Sequence, residues 1–130
     1  MEEAFFSRDE IGDLPVELHT QFFKTGTSEA KLSILARVDV KHLRYRKADG
    51  RNINTLTVLG GVFDRNGNYV TASRKTIDIS PTDERLEALA SGVTVKSTLD
   101  VAPGSYVVRL VVRDSEGQVM SARNGVVEIP

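Results

Sequence analysis

Cysteine is absent from the 130 residues, which excludes disulfides and thiolate metal sites. That absence leaves the compartment open, because a chain of this length buries roughly two-thirds of its unfolded surface and folds without staples. Tryptophan is absent too, and with it the buried Trp of antibody-type domains. No apolar run approaches the ~18 residues of a membrane span, so no membrane insertion is expected. An excess of one charge is also missing. The 17 Lys and Arg stand against 18 Asp and Glu for a net charge of −1, so no global field points to nucleic acid or to a membrane surface. The opening residues Met1-Glu2-Glu3-Ala4-Phe5-Phe6 are acidic where a signal peptide would be basic, and read as a start inside a longer chain.

What the chain does have is alternation. In Tyr106–Arg113 the even positions Tyr106, Val108, Leu110 and Val112 are all apolar, while Val107, Arg109, Val111 and Arg113 alternate apolar with cationic. A period of two over eight residues is a strong strand signal. A first strand is expected over 14–25. A second, over 30–41, sets Leu32, Ile34, Ala36, Val38 and Val40 against Lys31, Ser33, Arg37, Asp39 and Lys41, the one-wet-face pattern of an antiparallel sheet. The phase then slips, since Leu43 and Tyr45 are odd-numbered, so a bulge or strand end is expected near His42. Ala48–Asn52 has loop chemistry. A third strand is expected over about 54–64, where Gly60-Gly61 points to a bulge or a close backbone approach. The turn Asp64–Asn68 leads to a return strand over about 69–79. Ser80 as N-cap, Pro81 at N1 and Asp83 at N3 predict a short helix over about 81–91, closed by Gly92. Val93, Val95 and Leu99 resume the strand period, and a last strand over 118–129 has a possible break at Asn124-Gly125. Seven short strands, one short helix and regular turns predict an all-β fold, an immunoglobulin-like antiparallel β-sandwich over 14–130. Residues 1–13 read as a linker with a short helical turn, from the Ser7/Glu10 capping box, with Phe5 and Phe6 packing on the core.

Leu99–Tyr106 has the form of a tyrosine corner. Pro103-Gly104 supplies the turn and Tyr106 an apolar ring whose hydroxyl bonds backbone a few residues upstream. The position two after it is Val108, where an antibody domain has cysteine.

Candidate chemistry is sparse. Asp64-Arg65-Asn66-Gly67-Asn68 begins like a calcium loop, but the sixth position is Tyr69 and the twelfth Lys75, where such a loop needs Gly and Glu. His19 and His42 lie on different segments, and Asp39 would face away from His42 on a strand, so no metal site is expected. No serine stands in a nucleophile elbow and no glycine-rich phosphate loop occurs. The expectation is a protein that is not an enzyme and needs no cofactor. The sharpest local feature is Lys41–Lys47. Arg44, Arg46, Lys47 and Arg51 surround Tyr45, and Arg and Tyr are enriched at binding hot spots, so these five residues are the candidate contact for a protein partner. The competing reading is a set of cations guarding an edge strand.

Four stretches carry a family resemblance: Phe6–Pro15 (FSRDEIGDLP), Val38–Arg46, Val62–Gly67 (VFDRNG) and Pro103–Asp114. Together they resemble the C-terminal β-rich region of von Willebrand factor A-related proteins abundant in Acidobacteria, over nearly the whole chain. The resemblance implies an exported parent protein, periplasmic or at the cell surface, whose A domain precedes this region. The A domain's D-x-S-x-S metal motif does not occur here, so no metal role carries over. The function expected is a non-catalytic accessory and protein-interaction module; the alternative is a carbohydrate- or small-ligand-binding sandwich, for which Tyr45 and Tyr69 are the available aromatics.

Overall fold

The computed structural model describes residues 11–12, 14–41, 43–89 and 92–130. Among them the elements run β1 (Ile11–Gly12), β2 (Val16–Lys24), β3 (Ala30–Val38), β4 (Arg46–Ala48), β5 (Arg51–Asp64), β6 (Tyr69–Ile79), α1 (Asp83–Ala88), β7 (Val93–Val101), β8 (Gly104–Asp114) and β9 (Met120–Ile129). The larger sheet has the order β1-β9-β8-β5-β6, with β4 on the first residues of β5; the smaller is β2-β3-β7. Every pairing is antiparallel. The chain is an all-β, immunoglobulin-like sandwich. The seven long strands are the expected ones, and β1 and β4 are short additions to the larger sheet. Ile11 pairs with Ala122, so the sheet begins ahead of residue 14. The helical turn expected at Ser7–Glu10, the contacts of Phe5 and Phe6, and His42 lie outside the described residues.

The core follows from the alternation. β8 lies between β5 and β9, and its even positions Tyr106, Val108, Leu110 and Val112 are buried. They share one cluster with Leu32, Ile34, Ala36 and Val38 of β3 and Leu56, Val58 and Val62 of β5. Fully burying such a side chain contributes about 1.5–3 kcal/mol before entropy is set against it. Gly60 is the close approach: a Cβ there would come 3.2 Å from Ile34 Cδ1, so the bare backbone lets Ile34 seat on β5. The register shift lies beyond it, between Val62 and Phe63. The outer face of β8 is drier than its charge pattern indicates. Val111 is 0% and Arg109 2% exposed. The Arg109 guanidinium donates to Asn124 Oδ1 at 2.8 Å on the directly opposed residue of β9, and Val111 packs with Ala122, Leu59, Phe63, Ala72 and Met120.

Three local expectations are corrected. β3 ends at Val38, not residue 41, although Val40 stays buried. Ala48–Asn52 is a tight hairpin between β4 and β5 rather than a loop, with Asp49 and Gly50 at φ 52° and 73°, the paired positive values of a type I′ turn. The helix runs over 83–88, and its N-cap is Thr82, whose Oγ1 accepts from Arg85 N at 3.3 Å. Ser80 and Pro81 cannot start it, because Asn52 N donates to the Pro81 carbonyl at 2.8 Å and Thr82 bridges to Arg51, which keeps this stretch extended. The C-cap is Leu89, and Gly92 follows at φ 90° with its N–H on the Leu89 carbonyl at 2.9 Å.

Candidate functional site

The sequence-derived contact residues lie on the short β4–β5 hairpin and the segment leading into it. Arg44 is exposed, and its carbonyl accepts from Asn54 Nδ2 at 2.8 Å. Tyr45 is half-buried and its hydroxyl donates to the Val40 carbonyl. Burial, and then the carboxylates of Asp39 and Asp114, push its phenol up to about 12. Arg46 and Lys47 point to opposite faces of β4. Arg46 Nε sits 3.9 Å from Glu116 Oε1 in the β8–β9 hairpin, while Lys47 pairs with Asp83 at the start of α1. That bond, ahead of a second from Asn52, lowers the Asp83 carboxyl below its usual range. Arg51 donates to the Ser80 carbonyl at 2.9 Å. The run is therefore not one patch. Its cations fasten the hairpin to three different segments, and its tyrosine ties the strand exit of β3.

Two residues with no strong sequence signal organise this end of the sandwich. Asn52, 3% exposed, donates to the Pro81 carbonyl at 3.2 Å and to Asp83 Oδ1 at 2.8 Å. Asn54, 1% exposed, holds the Arg44 carbonyl, and its Oδ1 accepts from Thr55 N at 2.7 Å, Ser115 N at 3.2 Å and Glu116 N at 3.3 Å. Asparagine offers both a donor pair and an acceptor in one planar group, so one side chain can pin two backbones. The only available signal was their place at i and i+2 in front of Leu56, which puts both on the core side of β5. A cleft of about 320 Å³ opens beside them, lined in part by Leu14, Asp39, Leu43, Arg44 and Asp114. Asp114 accepts from Gly117 N at 2.8 Å through Oδ1, while Oδ2 has no partner and is out of reach of solvent.

The tyrosine corner is present. Tyr106 is 8% exposed and its hydroxyl donates to the Ala102 carbonyl four residues upstream, across the Pro103-Gly104 turn. A Cβ at position 104 would come 3.4 Å from that hydroxyl. The Asp64 turn closes on itself: the carboxylate accepts from Asn66 N and Asn68 N, both at 2.9 Å, and the Asn68 backbone bond leads in lowering its pKa. His19 is exposed with Nε2 3.4 Å from Glu17 Oε2.

A surface of different character crosses the outer face of the larger sheet. Val126 of β9 is directly opposite Val107 of β8, Val107 opposite Phe63 of β5, and Phe63 opposite Tyr69 of β6. These four side chains form one row over four strands, about 14 Å wide at the usual strand spacing. Val126 is 76% and Tyr69 56% exposed, with Val70 beside them at 40%. The Phe63 and Tyr69 rings meet edge to face, centroids 6.1 Å apart and planes at 75°. Polar groups rim the row: Arg65 Nη2 donates to Ser105 Oγ at 3.1 Å, and Ser105 Oγ to Glu128 Oε1 at 3.2 Å.

No protein-family model matches this chain, and no curated protein does. Solved structures do. A putative β-galactosidase from Bacteroides fragilis superposes with TM-score 0.53 at 16% identity, covering 88% of this chain and 16% of that one. Bacteroides uniformis β-glucuronidase 2, covalently bound to cyclophellitol-6-carboxylate aziridine, gives 0.51 at 14% identity, covering 88% and 13%. The chain thus spans about a sixth or less of the proteins it superposes on. At these identities the likeness shows the fold alone: an immunoglobulin-like β-sandwich.

Proposed function

We propose that this chain is a non-catalytic accessory domain that works by docking on a protein surface. The observation that carries the reading is the row Val126–Val107–Phe63–Tyr69, an exposed apolar stripe with a polar rim, which is the anatomy of a protein contact. It moves the favoured contact from the β4–β5 hairpin to the outer sheet face, because Lys47 and Arg51 already serve bonds within the molecule. That sandwiches of this fold occupy 13–16% of much larger chains agrees with a module inside a longer polypeptide. The resemblance to von Willebrand factor A-related proteins adds an exported parent. The carbohydrate-binding alternative asks for rings that a sugar can lie flat against; Phe63 and Tyr69 stand at 75° to each other, and Tyr45 is half-buried.

The test compares three immobilised proteins against an envelope extract of the parent organism: wild type, Tyr69→Ser/Val126→Ser, and Arg44→Ser/Arg46→Ser/Lys47→Ser. Capture of a defined protein that is lost only in the first variant is the expected result. Loss only in the second returns the contact to the hairpin. Binding on a glycan array, without protein capture, would replace the proposal with the carbohydrate reading.

A further inference from the structure

The smaller sheet has two edges, β2 and β7. Which backbone groups face each edge follows from the register. Residues of β2 and β3 that face each other sum to 54 in number. Pro15 O accepts from Asp39 N at 3.1 Å and Thr25 N donates to Glu29 O at 3.0 Å, both on odd positions of β2's register. In an antiparallel ladder, residues bonded to one neighbour alternate with residues whose N–H and C=O point the other way. Odd positions of β2 therefore bond β3, and Val16, Leu18, Thr20, Phe22 and Lys24 turn their backbone groups to the open side. The same parity argument directs the even positions of β7 outward, and there the Lys96 carbonyl accepts from Lys75 Nζ of β6.

The two edges are thus treated differently. β7 has a lysine from the other sheet laid on its free carbonyls. β2 carries none of the usual guards: no proline, no glycine, no register shift, and charges only near its ends at Glu17 and Lys24. It is nine residues long. Phe22 and Phe23 beside its tip are 40% and 61% exposed.

We propose that β2 is a pairing edge for a second copy of this chain, joined antiparallel about a two-fold axis through Thr20. This inference is independent of the outer-face contact. A two-fold register centred there pairs positions whose numbers sum to 40, and it is the one that uses all nine residues, Val16 meeting Lys24. On the core side Leu18 of each copy meets Phe22 of the other, and Thr20 meets Thr20. On the solvent side Glu17 meets Phe23, and His19 meets Gln21. No like charges are opposed, and the exposed phenylalanines gain apolar or aliphatic neighbours. The even positions already point their N–H and C=O groups outward, so the ladder forms without rearranging β2. The product is one six-stranded sheet, β7-β3-β2-β2′-β3′-β7′. The two-fold consumes the open edge of each copy, so the assembly closes at two.

Sedimentation equilibrium over a wide concentration range reads the outcome, with thermal melts to confirm that each variant folds. Wild type is expected to show a concentration-dependent monomer–dimer equilibrium. Phe23→Glu places a carboxylate against Glu17 of the other copy, twice per dimer, and is expected to weaken association by about tenfold or more. Adding Glu17→Lys to that variant opposes unlike charges in this register and is expected to recover most of the loss. Thr20→Pro deletes an N–H used only by the dimer and should also weaken it. Tyr69→Ser/Val126→Ser should leave it unchanged, which separates this edge from the outer face. A chain monomeric at every concentration overturns the proposal. So does a dimer indifferent to Phe23→Glu, or one not recovered by Glu17→Lys.

Discussion

Replacing Asn54 with alanine should destabilise the domain more than any exposed cation of the neighbouring hairpin. The side chain is 1% exposed and serves two backbones besides its own. Its loss affects the groups it touches unequally. Ser115 N keeps a second acceptor, the Thr55 carbonyl at 3.0 Å, and Thr55 N keeps Ser115 Oγ at 3.3 Å. The Arg44 carbonyl and Glu116 N depend on Asn54. A buried polar group stripped of its partner costs about 1–3 kcal/mol. Two such groups at one end of the sandwich, where water can reach part of the wound, give about 2–4 kcal/mol. Against a typical domain stability of about 5–15 kcal/mol that is a large fraction. Denaturant unfolding measures it as a lower midpoint at unchanged slope. Asn54→Asp refines the test, because a carboxylate keeps the acceptor side and loses the donor. Amide exchange should then speed up around Arg44 and stay slow at Ser115 and Glu116. A loss below about 0.5 kcal/mol for Asn54→Ala would refute the reasoning, since it would mean that both groups find water or new partners freely.

Tyr106→Phe should cost about 1–2 kcal/mol, because the ring stays packed while the Ala102 carbonyl loses its donor; an unchanged denaturant midpoint would show that bond to be worthless. Val108→Ala, at 0% exposure in the middle of β8, should cost about 2–3 kcal/mol from lost transfer energy and the cavity left behind, read from the same unfolding curves. Tyr45 gives a pH signature. Its folded phenol titrates near 12 against an ordinary value of 10.0, so its contribution is complete below about pH 10 and disappears as pH rises through 12. In a phenolate absorbance titration, one of the three tyrosines should ionise late, and Tyr45→Phe should remove that late step.

Much of the fold was legible in the sequence because each strand reports its own buried face through a local period of two. Tyr106, Val108, Leu110 and Val112 were assigned to the core on that ground alone, and the Pro103-Gly104 corner on the identity of three residues. Local signals failed where a distant segment competed for the same backbone. Ser80-Pro81-Thr82-Asp83 reads as a helix start two residues early, because the sequence does not reveal that Asn52 and Arg51 hold Pro81 and Thr82 extended. Asn52 itself read as loop chemistry; its role exists only because β5 begins at Arg51 and carries it to the side chain of Asp83. The basic run read as one cluster because its residues adjoin in sequence, whereas alternation on β4 and separate acidic partners pull Arg46 and Lys47 apart.

The same reason sets the limit for the surfaces. Val126, Val107, Phe63 and Tyr69 are scattered over nearly 60 residues of chain, and only the registers of three ladders bring them into one row. The open edge of β2 is likewise a property of sheet order, since a strand's sequence states which face is apolar but not whether a neighbour takes its outward hydrogen bonds. Periodicity therefore determined the class of fold, the core residues and the corner. Long-range pairing decided where the helix starts, which asparagines brace the end of the sandwich and which surfaces remain open.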